Sequence, residues 1–277
     1  MKPKNLKNSE WLLLKEKFEW LNLEVWNSLD AVEKLRLLKK ANIQINPNPV
    51  FGRNYMLKYP DDIYLKNIST LFKLDPFTLN KMKELVSKKE EVGGVINYDK
   101  NIEIDVLFSG DINRINLEFD SDAHSLFHTH PKQNISHDPP SVLDIISYLA
   151  LIVKYIADLI IDLGNGIEHP ADDPLVVQNS IVFTKDEIYI YYISKQLLST
   201  ITKNLIEIYM NGNFVFEVEK LLEEIEISYG AYLSKFNRKL NSYSLHNYLN
   251  ELFSLGFLIK KYKYDSPNSV PEVYITL

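Results

Sequence analysis

Apolar residues open the chain at helical spacing. Trp11, Leu12, Leu13 and Leu14 begin a pattern that continues through Trp20 and Trp26, and it predicts helix over residues 9–41. Ser9 is the expected N-cap of the first helix, and a second helix is expected after Ser28-Leu29-Asp30, running to Lys40. Asn46-Pro47-Asn48-Pro49-Val50-Phe51-Gly52 interrupts both helical and strand periods and reads as a loop. Asp75-Pro76 sets an N-cap and first-turn proline for a helix ending near Lys89. From Val92 the period becomes two. Strands are expected over 93–98, 102–108, 115–119 and 125–130, with a turn at 99–101 and a stop at Pro131. In the second of these, Ile102, Ile104 and Val106 alternate with Glu103 and Asp105.

The run Ile145–Ile161 is the most apolar of the chain and predicts a buried helix packed against the sheet that holds residues 92–130. After a polar loop over 164–174, residues 180–184 and 188–192 flank Lys185-Asp186-Glu187 as a β-hairpin. From Lys195 the pattern is mainly helical. A helix over 245–255, Gly256, and strands over 258–264 and 273–277 suggest a closing helix and two-stranded wing. Together these elements predict an α/β (α+β) protein in which a mixed sheet is flanked by helices. The expected division is a helical N-terminal extension over 1–75, a central domain over 76–200, and a C-terminal helical region over 201–277 that ends in the wing. Internal repeats and low-complexity segments are absent from the sequence.

Composition narrows the class. With 277 residues and 45% hydrophobic content, the chain can bury one substantial core or two modest ones. Its net charge of -6 disfavours a dedicated nucleic-acid binder, which needs cations against phosphates. The Ile145–Ile161 run contains Lys154 and Asp158 and falls short of the roughly 20 apolar residues of a membrane span. The N-terminus reads as charged and amphipathic rather than as a signal peptide. Zero cysteines exclude disulfides, thiolate metal sites and cysteine nucleophiles, and fit a soluble, cytoplasmic protein. Richness in Asn, Lys, Ile and Tyr suits an AT-rich genome, such as that of a large DNA virus or an AT-rich microbe, so a viral or virion-associated protein is also expected.

The chemistry concentrates in Phe127-His128-Thr129-His130-Pro131 and, ten residues later, Ser141-Val142-Leu143-Asp144. Alternate strand side chains share a face, so His128 and His130 aim together and Thr129 turns away. Asp144 falls in the first turn of the helix that Pro139-Pro140-Ser141 opens. Two imidazoles and one carboxylate leave a fourth tetrahedral position open, the pattern of a catalytic zinc. Each piece has a plainer reading: a surface histidine pair, and a Ser-x-x-Asp capping box. Glu91, at the start of Glu91-Val92-Gly93-Gly94, is the candidate general base, and its plainer reading is an exposed acid at a helix–strand junction.

Glu91-x-Gly-Gly, His128-x-His130-Pro131 and Ser141-x-x-Asp144, in this order, resemble the JAMM (MPN-plus) metalloproteases over about residues 76–195. The resemblance implies an MPN-like fold, with zinc (Zn2+) held by His128, His130 and Asp144, Glu91 as acid and base, and Ser141 supporting the transition state. It also implies hydrolysis of isopeptide bonds to ubiquitin or a ubiquitin-like protein, and the helical extensions are expected to meet protein partners. Two features depart from the family. Ten residues separate His130 from Ser141, where seven are usual, and only 36 separate Glu91 from His128. The second leaves little room for the first of the insertions that grip ubiquitin. Silent scaffolding on the same fold, or zinc hydrolysis of another peptide or small amide, are the competing expectations.

The remaining polar residues have structural readings. His124 reads as a strand-edge residue, and His137 with Asp138 as residues of the long loop near the site rim. His169 and His246 read as structural, and Tyr189, Tyr191 and Tyr192 as hairpin packing. Lys260, Lys261 and Lys263 read as a solvated face.

Overall fold

The structure is a computed structural model, described over residues 1–46, 48–53, 55, 70–98, 102–109, 124–131, 137–167, 178–236, 241–264 and 270–275. In chain order the helices are α1 (Asn8–Lys17), α2 (Leu23–Ser28), α3 (Ala31–Lys40), α4 (Pro76–Val86), α5 (Val142–Gly164), α6 (Lys195–Met210), α7 (Phe214–Leu233) and α8 (Ser242–Ser254). The strands are β1 (Thr70–Lys73), β2 (Val92–Tyr98), β3 (Ile102–Ser109), β4 (Ser125–Thr129), β5 (Asn179–Phe183), β6 (Glu187–Ile193), β7 (Phe257–Lys263) and β8 (Glu272–Ile275). This is the mixed α/β class expected. The strand expected at 115–119, the turn at 99–101 and His169 lie outside the described residues.

Contacts gather the chain into two compact units. A sheet unit holds Arg53–Ser141, Glu168–Thr200 and Arg238–Leu277, and a helical unit holds Met1–Gly52, Val142–Ile167 and Ile201–Asn237. Each takes segments far apart in sequence, so the units do not coincide with the consecutive stretches 1–75, 76–200 and 201–277.

In the sheet unit six strands run in the order β3-β2-β4-β5-β6-β7. Every neighbouring pair is antiparallel except β4–β5, which is parallel. A parallel pair cannot be joined by a tight turn, and the chain between β4 and β5 contains α5. One face of the sheet carries Val92, Ile96, Phe127, Ile181, Ile188, Ile190 and Leu258 in a core shared with Met82 and Leu85 of α4. Asp75 caps α4 by accepting from the Thr78 amide at 2.8 Å, and Pro76 occupies its first turn, as the dipeptide predicts. The expected wing is corrected. β7 pairs with β6 at the sheet edge, and β8 pairs with β1, a strand absent from the sequence reading, in a separate two-stranded sheet. Both strands bury apolar side chains in the sheet-unit core, Leu258 from β7 and Val273 and Ile275 from β8, which a solvated wing would leave exposed.

Of the two helices expected over 9–41, the second is found as α3, and the first is corrected to two, α1 and α2. α1 starts before Ser9, with Lys7 at its N-cap, because Glu10 accepts from the Lys7 amide at 2.8 Å. Asn22 caps α2 by accepting from the Val25 amide at 2.9 Å, and Asp30 caps α3 from the Glu33 amide at 2.7 Å. Trp11, Leu14, Leu21, Trp26, Leu37 and Leu38 form the core of this region. Gly230 lets α7 approach α3, since a Cβ there would stand 2.9 Å from Leu35 Cδ1. α5 packs on α7 within the helical unit and is buried along Ile145, Ile146, Leu149, Ile152, Val153 and Ile156. Among the described residues no helix is long and apolar enough to cross a membrane.

Candidate metal centre

Sheet register brings one set of polar residues to a single face. Phe127 pairs with Ile181, and both belong to the apolar core. Their neighbours His128 and Val182 therefore point to the opposite face. Val182 pairs with Tyr189, and Tyr189 with Lys261, so Glu187, Tyr189 and Lys261 share the histidine face. Gly93 pairs with His128 and places no side chain in front of it. Glu91 lies two residues before Gly93 in the chain, just ahead of β2. The start of β2 is fixed there because the Val92 amide donates to Thr129 Oγ1 at 2.9 Å.

His128 and His130 are buried, and their Nε2 atoms stand 3.1 Å apart. Two ligands of one tetrahedral zinc, each about 2.0–2.1 Å from the metal, are separated by roughly 3.3 Å. The His130 backbone continues the ladder, its amide donating to the Phe183 carbonyl at 2.9 Å. Asp144, half-buried in the first turn of α5, completes the group. One ligand atom from each of His128, His130 and Asp144 lies within 4.8 Å of the others. Such a group could hold a metal ion, and its nitrogen and carboxylate donors suit zinc chemistry. Glu91 stands directly before β2 and Ser141 directly before α5, both half-buried.

A second group of polar side chains lies next to it in the sheet unit. His130 Nδ1 is 3.1 Å from Asp138 Oδ2. Glu187 is 4% exposed and is surrounded by donors. The Tyr189 hydroxyl donates to Glu187 Oε2, His137 Nδ1 lies 3.2 Å from the same oxygen, and Lys261 Nζ donates to Oε1 at 3.2 Å. Burial alone would raise the Glu187 carboxyl, but the bonds from Tyr189, His137 and Lys261 outweigh it and hold the group below its ordinary range. Burial and the bond to Glu187 push the Tyr189 hydroxyl well above its ordinary value.

This second group adds roles that the sequence reading did not give. Tyr189 is packed in the hairpin as expected, and also donates to a buried acid. Lys261 is paired rather than merely solvated. Glu187 went unnoticed because it closes the polar Lys185-Asp186-Glu187 turn; its place in phase with Tyr189 is the signal that marks it. His124 lies before β4, as expected, and its Nδ1 accepts from the Tyr98 amide at 3.3 Å.

Compared with models of known protein families, with curated proteins and with solved structures, the chain gives no match.

Proposed function

We propose that this chain is a zinc-dependent hydrolase of isopeptide or peptide bonds, of the JAMM kind, acting on ubiquitin or a ubiquitin-like conjugate. The observation that carries the reading is the buried convergence of His128, His130 and Asp144. Buried histidines facing each other across 3.1 Å are hard to account for as a solvated surface pair. The order of Glu91, the two histidines, Ser141 and Asp144 along the chain supports the kind of hydrolase.

A zinc ion held by these three residues would lower the pKa of a bound water from about 15.7 toward about 7. Glu91, just ahead of β2, is the group to accept a proton from the attacking water and deliver it to the leaving amine. Ser141, at the head of α5, is the group to donate a hydrogen bond to the carbonyl oxygen as charge develops on it.

Two measurements test this. Protein purified without chelator should carry about one zinc per chain. It should cleave isopeptide-linked ubiquitin chains, and a chelator should stop it. Zinc without cleavage of any ubiquitin-like conjugate would move the substrate to another amide or favour the scaffold. Protein that binds no zinc would end the reading.

A further inference from the structure

A metal-bound histidine commonly donates its second ring N–H to a carboxylate, which fixes the tautomer, orients the ring and strengthens the donor nitrogen. His130 is arranged for this. Its Nε2 lies 3.1 Å from His128 Nε2, and its Nδ1, a buried nitrogen that makes no aligned hydrogen bond, lies 3.1 Å from Asp138 Oδ2. A small turn of the ring or of the carboxylate would align Nδ1–H with Asp138 and leave the Nε2 lone pair for the point where His128 also converges.

The segment carrying Asp138 is anchored on both sides. One residue before it, His137 reaches the buried Glu187 carboxylate of β6, which Tyr189 and Lys261 also hold. Two residues after it, the Pro140 carbonyl accepts from the Tyr248 hydroxyl of α8 at 2.7 Å, in a buried contact. Strand β6 and helix α8 thus fix the backbone from which Asp138 extends, and all these residues belong to the sheet unit.

We propose that Asp138 is a positioning residue for His130, and that the His137–Glu187 and Tyr248–Pro140 contacts hold it in place. This rests on the metal reading of His128, His130 and Asp144. Asp138 touches no reacting atom in this role. It sets which His130 nitrogen carries the proton and how the ring is aimed.

The test is zinc affinity of the full chain, by competition with a chromophoric chelator, with folding checked by circular dichroism. Asp138→Ala should weaken zinc binding by about 10–100-fold. Asp138→Asn keeps the shape and loses the charge, and it should fall between the wild type and Asp138→Ala. Glu187→Gln should weaken binding by a smaller factor at temperatures where the protein stays fully folded, an effect that a purely structural role would not produce. With cobalt in place of zinc, the ligand-field bands of Asp138→Asn should match the wild type. Wild-type zinc affinity in Asp138→Asn overturns the proposal even where Asp138→Ala fails to fold. Altered cobalt bands overturn it by making Asp138 a ligand. A wild-type chain that takes up no zinc removes the metal reading itself, which is a different failure.

Discussion

Glu187 is almost wholly buried, so its three donors weigh heavily on its ionisation. Its folded pKa lies below the ordinary 4.5. The charged form is therefore stabilised by folding, and that contribution is fully present above about pH 4.5 and disappears as pH falls through the lower folded value. Glu187→Gln should cost about 1–3 kcal/mol at neutral pH, as expected for weakening hydrogen bonds to a buried charge. The difference in melting temperature between wild type and variant should shrink below about pH 4.5; a difference that stays constant down to pH 3 would disprove the role of the charge. The residues of the proposed hydrolase site make a different prediction. Glu91→Gln should retain zinc and lower turnover by about 10²–10⁴-fold, since it keeps shape and loses the base. His128→Ala should lose zinc and turnover together. Zinc stoichiometry beside a cleavage assay separates the two, and wild-type cleavage by Glu91→Gln would move the base elsewhere. The histidine pair was legible because strand alternation is a local rule and Pro131 ends the strand. Asp144 was legible because a capped helix must begin soon after two prolines. Glu187 was not, because pairing with β7 is what buries it.

At the scale of elements, local chemistry marks most beginnings. Asp75-Pro76 was readable as a cap, and a helix start was readable after Ser28-Leu29-Asp30, because a side-chain carboxylate accepting from an amide three residues on is a local bond. The break between α1 and α2 was not readable, since Phe18 and Leu21 keep the pattern apolar across it while Asn22 supplies a new cap. Partners are a tertiary matter. An apolar run shows that α5 is covered, but not that α7 covers it. Gly93-Gly94 illustrates both limits. At Gly94 a Cβ would overlap the Asp105 carbonyl oxygen of β3. The β2–β3 register also shifts between these two glycines. Gly94→Ala should therefore force β2 and β3 apart and cost about 1–3 kcal/mol, the usual range for overpacking. A denaturant midpoint equal to that of the wild type would show that the strands adjust freely.

At the scale of the molecule, what the sequence could not disclose is the order in which distant segments return. The motifs cluster between Glu91 and Asp144, which made 76–200 look like a self-sufficient stretch. The sheet is not built from that stretch alone. β7, from beyond residue 250, hydrogen-bonds along the whole of β6, from Glu187↔Lys263 to Ile193↔Phe257. It brings the buried Phe257, Leu258 and Ile259, and Lys261 for Glu187. α8 brings Tyr248, whose hydroxyl holds Pro140. Pairing of such non-local strands leaves no trace in the local pattern of either one. A fragment of residues 76–200 would present β6 as an unpaired, strongly apolar edge and leave Glu187 without one of its donors. Such an edge invites association with other chains. The fragment should accumulate as aggregate, or, if soluble, lack a cooperative thermal transition and bind zinc more weakly than the full chain. The comparison is made on equal amounts of both proteins by calorimetry and zinc competition. A fragment that melts cooperatively and holds zinc as tightly as the full chain would show that β7 and α8 are dispensable to the sheet and to the loop that carries Asp138.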